Sequence, residues 1–308
     1  MTPTSSPLAK ISGVDRSRQV TQAPDGRSLV FAEWGDTDGS PVFALHGTPG
    51  CRLLRHPSEE LIASTGTRLI TYDRPGYGGS DRRRGHRMAD AAGDVTAIAD
   101  RLGLGRFAVF GVSGGGPHAL GVAALCGNRV TRAASVVGLA PFDVLGDDWY
   151  TGMDPQNVTE VGWALDGEER LAAEYLREDA QDRARVAEDP AKMLENFDLP
   201  EADRAVLGRP DWASVRRAVA LEQTRNGVWG WVDDSLAQIW PWGFDPATIS
   251  VLTQIWYGTQ DVLSPPGHSE WLARTVPGAI VRRTGLGHFG DPDADTVERL
   301  TWLAGGAG

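Results

Sequence analysis

The chain has 308 residues, 41% of them hydrophobic, and 41 acidic against 30 basic side chains give a formal net charge of −11. That balance argues against nucleic acid or an anionic membrane as partner, because phosphate-binding surfaces need clustered Lys and Arg. The one basic run, Arg82-Arg83-Arg84, follows Asp81 and reads as a solvated loop. Cys51 and Cys126 provide neither a disulfide framework nor metal-ligand spacing, which suits a reducing compartment. The opening segment lacks the apolar core of a secretory signal, and no stretch approaches the ~18 uninterrupted apolar residues of a membrane span, so a cytoplasmic location is expected.

Residues 1–16 read as a polar tail, and the closing "AGGAG" as a fraying end. Gln19-Val20-Thr21 and residues 29–34 flank Asp25-Gly26 at a spacing that predicts an antiparallel hairpin. The pattern then changes to short, nearly continuous apolar runs: "PVFALHG" (41–47), "TRLITYD" (67–73), "RFAVFGV" (106–112) and "RAASVVGLA" (132–140). Such runs are the mark of strands buried on both faces. Between them, "RMADAAGDVTAIADRLGL" carries Met88, Ala92, Val95, Ile98, Ala99 and Leu102 at helical spacing, and "GPHALGVAALCG" continues likewise. The alternation returns with "VLTQIWYG" (251–258), a helix over 266–276, "AIVRRT" (279–284) and a last helix over 293–303. Strands alternating with helices predict an α/β fold: a mostly parallel sheet with helices on both faces.

Residues 142–245 interrupt this rhythm. The segment is acidic and mostly helical, and it is too long for a loop inside one domain, so it predicts a helical cap inserted into a core of residues 17–141 and 246–304. It holds seven of the eleven tryptophans. Most are expected to form the small core of the insertion, with a few lining an apolar pocket above the site.

The stretch "VFGVSGGGPHAL" places one serine, Ser113, between glycines where a buried strand hands over to a helix. A lone G-x-S-x-G carries little weight, but this strand-to-helix context is the one in which a serine is presented outward beside free backbone N–H groups. The stretch lacks the Lys of a phosphate-cradling Walker loop. A dinucleotide fingerprint would sit in the first strand–helix unit, so both phosphate readings are rejected.

With "HGTPG" (46–50), "YDRPGYGGSD" (72–81), "GVSGG", "YGTQDVLSP" (257–265) and "GLGHF" (285–289) in this order, the chain resembles the α/β-hydrolase fold family over nearly its whole length. Within it, "HGTPG" and "GVSGGGP" are similar to the cap-bearing esterase-like and prolyl aminopeptidase-like enzymes. The resemblance implies a catalytic triad of Ser113, Asp261 and His288, in the chain order of that family. It implies an oxyanion hole from the backbone N–H groups of Thr48 and Gly114, with His46 and Gly47 shaping the loop and Asp73 and Arg74 pairing with each other to brace it. A serine hydroxyl needs an imidazole to take its proton and a carboxylate to hold that imidazole.

Asp143, in "APFDV", is a competing acid, because some family members carry it after that strand. His56, His86, His118 and His268 are expected to have packing or surface roles. Epoxide hydrolase and dehalogenase activities are disfavoured, since those relatives carry a carboxylate nucleophile where this chain has Ser113. Thr48 and the segment "ALEQTRNGVWGWVDD" depart from the aminopeptidases, and Glu222 reads as part of a solvated helix face.

The expected activity is hydrolysis of an ester, lactone or amide bond in a small to medium apolar substrate, without metal or organic cofactor. The alternatives are lyase or cofactor-free oxygen chemistry on the same dyad, or a binding protein without turnover.

Overall fold

The computed structural model describes residues 15–305. Residues 1–14 of the predicted tail, and 306–308 of the closing segment, lie outside the described residues. A hairpin opens the sheet: β1 (Gln19–Gln22) pairs antiparallel with β2 (Ser28–Gly35), Gln19 opposite Phe31. Then come β3 (Ser40–Leu45), α1 (Glu59–Ser64), β4 (Thr67–Tyr72), α2 (Ala91–Arg101), β5 (Phe107–Val112), α3 (Gly115–Leu125) and β6 (Val130–Val136). Six helices follow: α4 (Phe142–Leu145), α5 (Pro155–Leu165), α6 (Glu168–Glu188), α7 (Glu201–Leu207), α8 (Ala213–Glu222) and α9 (Trp229–Ile239). The sheet resumes with β7 (Thr253–Gly258), α10 (Pro266–Thr275), β8 (Ile280–Thr284) and α11 (Ala294–Leu303). Its eight strands run in the order β1-β2-β4-β3-β5-β6-β7-β8, antiparallel through β1, β2 and β4 and parallel from β4 to β8.

Side chains alternate across a strand, so a run that is apolar throughout must be buried on both faces. Phe43, Ile70 and Val109 join one core cluster with Val95 and Ile98 of α2, Leu120 of α3 and Leu272 of α10. Val42, Leu69 and Ala108 point the other way, against Ile62 of α1 and Leu300 and Trp302 of α11. Each large side chain so covered contributes roughly 1.5–3 kcal/mol relative to exposure.

The predicted strand over 132–140 stops at Val136, because Val137 takes φ +47 and turns the chain out of the sheet. The six residues of α1 were not anticipated; less than two turns, capped by Ser58, leaves no periodicity to read. The predicted helix over 87–104 begins as a 3-10 turn at Met88–Asp90 before α2.

Between β6 and β7, Ala164 of α5, Leu171 and Tyr175 of α6 and Trp231, Val232 and Leu236 of α9 share a separate cluster, joined from below by Tyr77. Tyr175 and Trp231 stack with ring centroids 3.9 Å apart. These helices roof the carboxyl ends of β3, β5, β7 and β8, the end at which open parallel sheets place their ligands. No helix among the described residues is long and apolar enough to cross a membrane.

Candidate active site

Ser113 sits between β5 and α3 with φ +55, a conformation that costs a residue bearing a Cβ about 1 kcal/mol and survives only where neighbours enforce it. They do so through hydrogen bonds: Ser113 N–H donates to Val136 O at 2.8 Å, and Gly116 N–H donates to Ser113 O at 2.8 Å. A Cβ on Gly111 would overlap the Gly115 carbonyl, and one on Gly115 would overlap the carbonyls of Leu45 and His46. Gly111 and Gly115 are therefore required by close backbone approach.

Asp261 lies in the turn after β7, where its Oδ1 accepts from the N–H groups of Leu263 and Ser264, each at 2.9 Å. Its Oδ2 faces His288 Nδ1 at 2.9 Å. An ionised carboxylate only accepts, so Nδ1 carries the proton and the neutral ring keeps Nε2 free as a base. Burial opposes charge on His288, but Asp261, with Asp203 behind it, outweighs burial and raises its pKa above the usual 6.5. Ser113 and His288 line one cavity of about 420 Å³. Among the described residues no hydrogen bond joins the serine hydroxyl to the ring; such bonds are often loose before substrate arrives. Asp143 is exposed on α4 and does not line this cavity, and the His288 ring is bound by Asp261.

Thr48 and Gly114 line the same cavity. Behind Thr48, His46 Nδ1–H meets Gly47 O at 2.8 Å and its Nε2 accepts from Arg74 N–H at 3.2 Å. Burial, then Arg74, holds His46 well below its usual pKa, so it is a neutral buckle for the loop. Arg74 also donates to the carbonyls of His46 and Gly47.

Asp73 and Arg74 do not pair with each other, as sequence proximity suggested. Asp73 takes Arg52, its N–H at 2.7 Å and its guanidinium at 2.8 Å, whereas Arg74 pairs with Asp234 of α9. Consecutive residues leaving a strand point to opposite sides, which separates them. Glu222 binds Arg52 at 2.6 Å and is not on a solvated face.

Three of the histidines set aside in the sequence also have carboxylate partners. His86 and His118 reach Asp234 Oδ1 at 3.2 and 3.0 Å, and His56 reaches Asp293 at 2.8 Å. His86, His118 and Asp234 could present ligand atoms to a cation, but the Arg74 guanidinium on the same carboxylate already balances its charge. His268, on α10, accepts from Ala140 N–H at 3.2 Å and has a packing role.

The insertion adds residues that the motifs did not reveal. Asp203 of α7 is buried and accepts from the N–H groups of His288 and Phe289, each at 2.9 Å. Of the seven tryptophans, Trp149, Trp212 and Trp231 line the cavity. Trp229 instead stacks under Arg82, and Trp242 joins the core beside Phe244. On the cavity wall, burial and the nearby Glu178 and Asp182 push Glu160 up to about 8, which keeps that carboxyl mostly neutral at pH 7.

The family described as the alpha/beta hydrolase fold matches residues 40–290. The chain is 35% identical over 143 residues to a non-heme chloroperoxidase of Streptomyces lividans, covering 46% of this chain and 52% of that protein. It is 30% identical over 122 residues to the bifunctional esterase/perhydrolase DCH of Acinetobacter calcoaceticus, covering 39% of this chain and 44% of that protein. The matched stretch thus spans about half the length of these curated relatives. An alpha/beta hydrolase fold protein from Nakamurella multipartita superposes with TM-score 0.63 and 23% identity over 94% of this chain and 100% of that one, a likeness of fold.

Proposed function

The chain belongs to the α/β-hydrolase fold family, and on that premise we propose that it is a serine hydrolase acting through an acyl-enzyme on Ser113. One observation carries the reading: a serine held at φ +55 shares a cavity wall with an imidazole whose far nitrogen is bound by Asp261. His288 Nε2 takes the hydroxyl proton as Ser113 Oγ attacks an acyl carbonyl. The oxyanion that forms meets the Thr48 and Gly114 N–H groups, each worth about 3–4 kcal/mol to the transition state. His288 returns the proton to the leaving group, then activates water to release the acid. The apolar side chains and a mostly neutral Glu160 on the cavity wall favour a small to medium apolar ester, lactone or amide.

The helices between β6 and β7, residues 142–245, act in this reading as the cap. Hydrogen peroxide in place of water at the deacylation step would give a peracid, a second reading favoured by the partial match to an esterase/perhydrolase.

A fluorophosphonate probe with p-nitrophenyl esters tests the proposal. Covalent capture at Ser113, and ester turnover that vanishes in Ser113→Ala, support it; neither in a folded protein removes it. Peracid formed when peroxide is added to the assay supports the second reading.

A further inference from the structure

We infer that Asp234, on α9, is a positioning residue for the oxyanion loop: it holds the Thr48 hydroxyl and thereby aims the Thr48 N–H beside Gly114. The inference rests on the oxyanion roles proposed above. Thr48 Oγ1–H donates to Asp234 Oδ2 at 2.7 Å, so the loop after β3 is tied to a helix of the insertion. Asp234 itself cannot drift. Its Oδ2 also receives the Arg74 guanidinium and Tyr77 O–H at 3.1 Å, and its Oδ1 receives His86 and His118. These five donors come from separate segments: the loop after β3, the loop after β4, the stretch before α2, and α3 behind the nucleophile.

The donor count fixes the protons. His86 Nδ1 faces Arg83 O at 3.1 Å and Nε2 faces Asp234, two acceptors, so the ring donates at both nitrogens. His118 Nδ1 is buried with no partner, so its single proton sits on Nε2, toward Asp234. Every polar neighbour of the carboxylate is then a donor, and Asp234 and Arg74 are both fully buried. A carboxylate surrounded in this way has one low-energy position, and the Thr48 hydroxyl inherits it.

The other end of the same link lies against the nucleophile. A Cβ on Gly114 would collide with the Thr48 side chain and come 3.0 Å from Gln238 Nε2. Gln238 stands one helical turn beyond Asp234, so α9 reaches both proposed oxyanion donors, one through Thr48 and one by covering Gly114.

Thr48→Val separates positioning from folding, because it removes only the hydroxyl and leaves Asp234 with its four other donors. With p-nitrophenyl esters as the probe, kcat of Thr48→Val is expected to fall about 10- to 100-fold with KM within about threefold. Thr48→Ser, which keeps the hydroxyl, restores kcat to near wild type. Asp234→Asn loses a similar factor, and the double variant Thr48→Val/Asp234→Asn loses no more than the worse single one, as expected for one shared interaction.

If Asp234→Asn does not fold, the Val and Ser variants still decide. Turnover that depends on Ser113 but is unchanged in Thr48→Val overturns the inference alone. So does a loss confined to KM, or a Ser variant as slow as the Val variant. A wild-type protein with neither ester turnover nor fluorophosphonate capture removes the hydrolase reading and this inference together.

Discussion

Two aspartates from different parts of the chain hold His288. Asp261, in a turn of the sheet core, binds the ring at Nδ1, whereas Asp203, on a helix of the insertion, binds the backbone N–H of the same residue and of Phe289. The first acts chiefly on protonation state, to which Asp203 adds a smaller push in the same direction, and the second fixes the place of the loop. Across the cavity the division repeats: the core supplies Ser113 and the Thr48 loop, and the insertion supplies Asp234 to fix that loop. The core carries groups that would react, and the inserted helices carry buried acids that hold those groups still. A roof of this kind is part of the site's framework, because removing it would leave the N–H groups of His288 and Phe289 and the Thr48 hydroxyl without acceptors.

This division predicts a ranking of losses. The largest belongs to the core: Ser113→Ala should lower kcat/KM for p-nitrophenyl esters by at least about 10⁴-fold with the melting temperature nearly unchanged. Next comes Asp203→Ala, which leaves the buried His288 N–H unpaired at a cost of about 1–3 kcal/mol, together with the half-buried Phe289 N–H. A lower melting temperature and a roughly tenfold or greater drop in kcat are expected, and a change in neither would show that the insertion does not support the His288 loop.

The pH profile separates the two acids. As the proposed base His288 must be neutral, and its pKa is raised, so kcat/KM should climb with pH through a midpoint above 6.5. Asp261→Asn should move that midpoint down. The sign for stability is opposite: the raised value favours the folded state below the unfolded pKa and loses that contribution as pH rises through the folded one. Trp231→Ala, in the roof, should raise KM for longer acyl chains more than for acetyl esters, by about three- to tenfold, and leave kcat little changed. The smallest effect is expected at Asp143, where Asn should stay within about twofold of wild type.

The core was legible because its signals are contiguous in sequence. A strand buried on both faces needs an unbroken apolar run, and the serine turn shows as adjacent glycines, although Gly114 and Gly115 are enforced by Thr48, Leu45 and His46 of the neighbouring strand and loop. The supporting acids left no such trace. In "EADRAV" and "WVDDSLA", Asp203 and Asp234 have the composition of any solvated helix face, and their partners lie 85 and up to 186 residues away.

Two signals were nevertheless present. Asp234 falls between Trp231, Val232 and Leu236 on a helix whose apolar positions demand burial, so an acid there needs a cation. Arg74 follows a buried strand next to an aspartate that must point the other way, so that cation needed a distant acid. The wrong pairing of Asp73 with Arg74 came from weighing proximity in sequence above the alternation of a strand.

The five-way bonding of Asp234 also bears on how molecules reach and leave the chamber. Swinging α9 outward would strip a buried anion of every donor at once, so this helix behaves as a pillar and not as a door. Traffic is left to stretches of the roof that are pinned less densely, and comparing hydrogen-exchange rates of α9 with those of α5–α8 would trace the route.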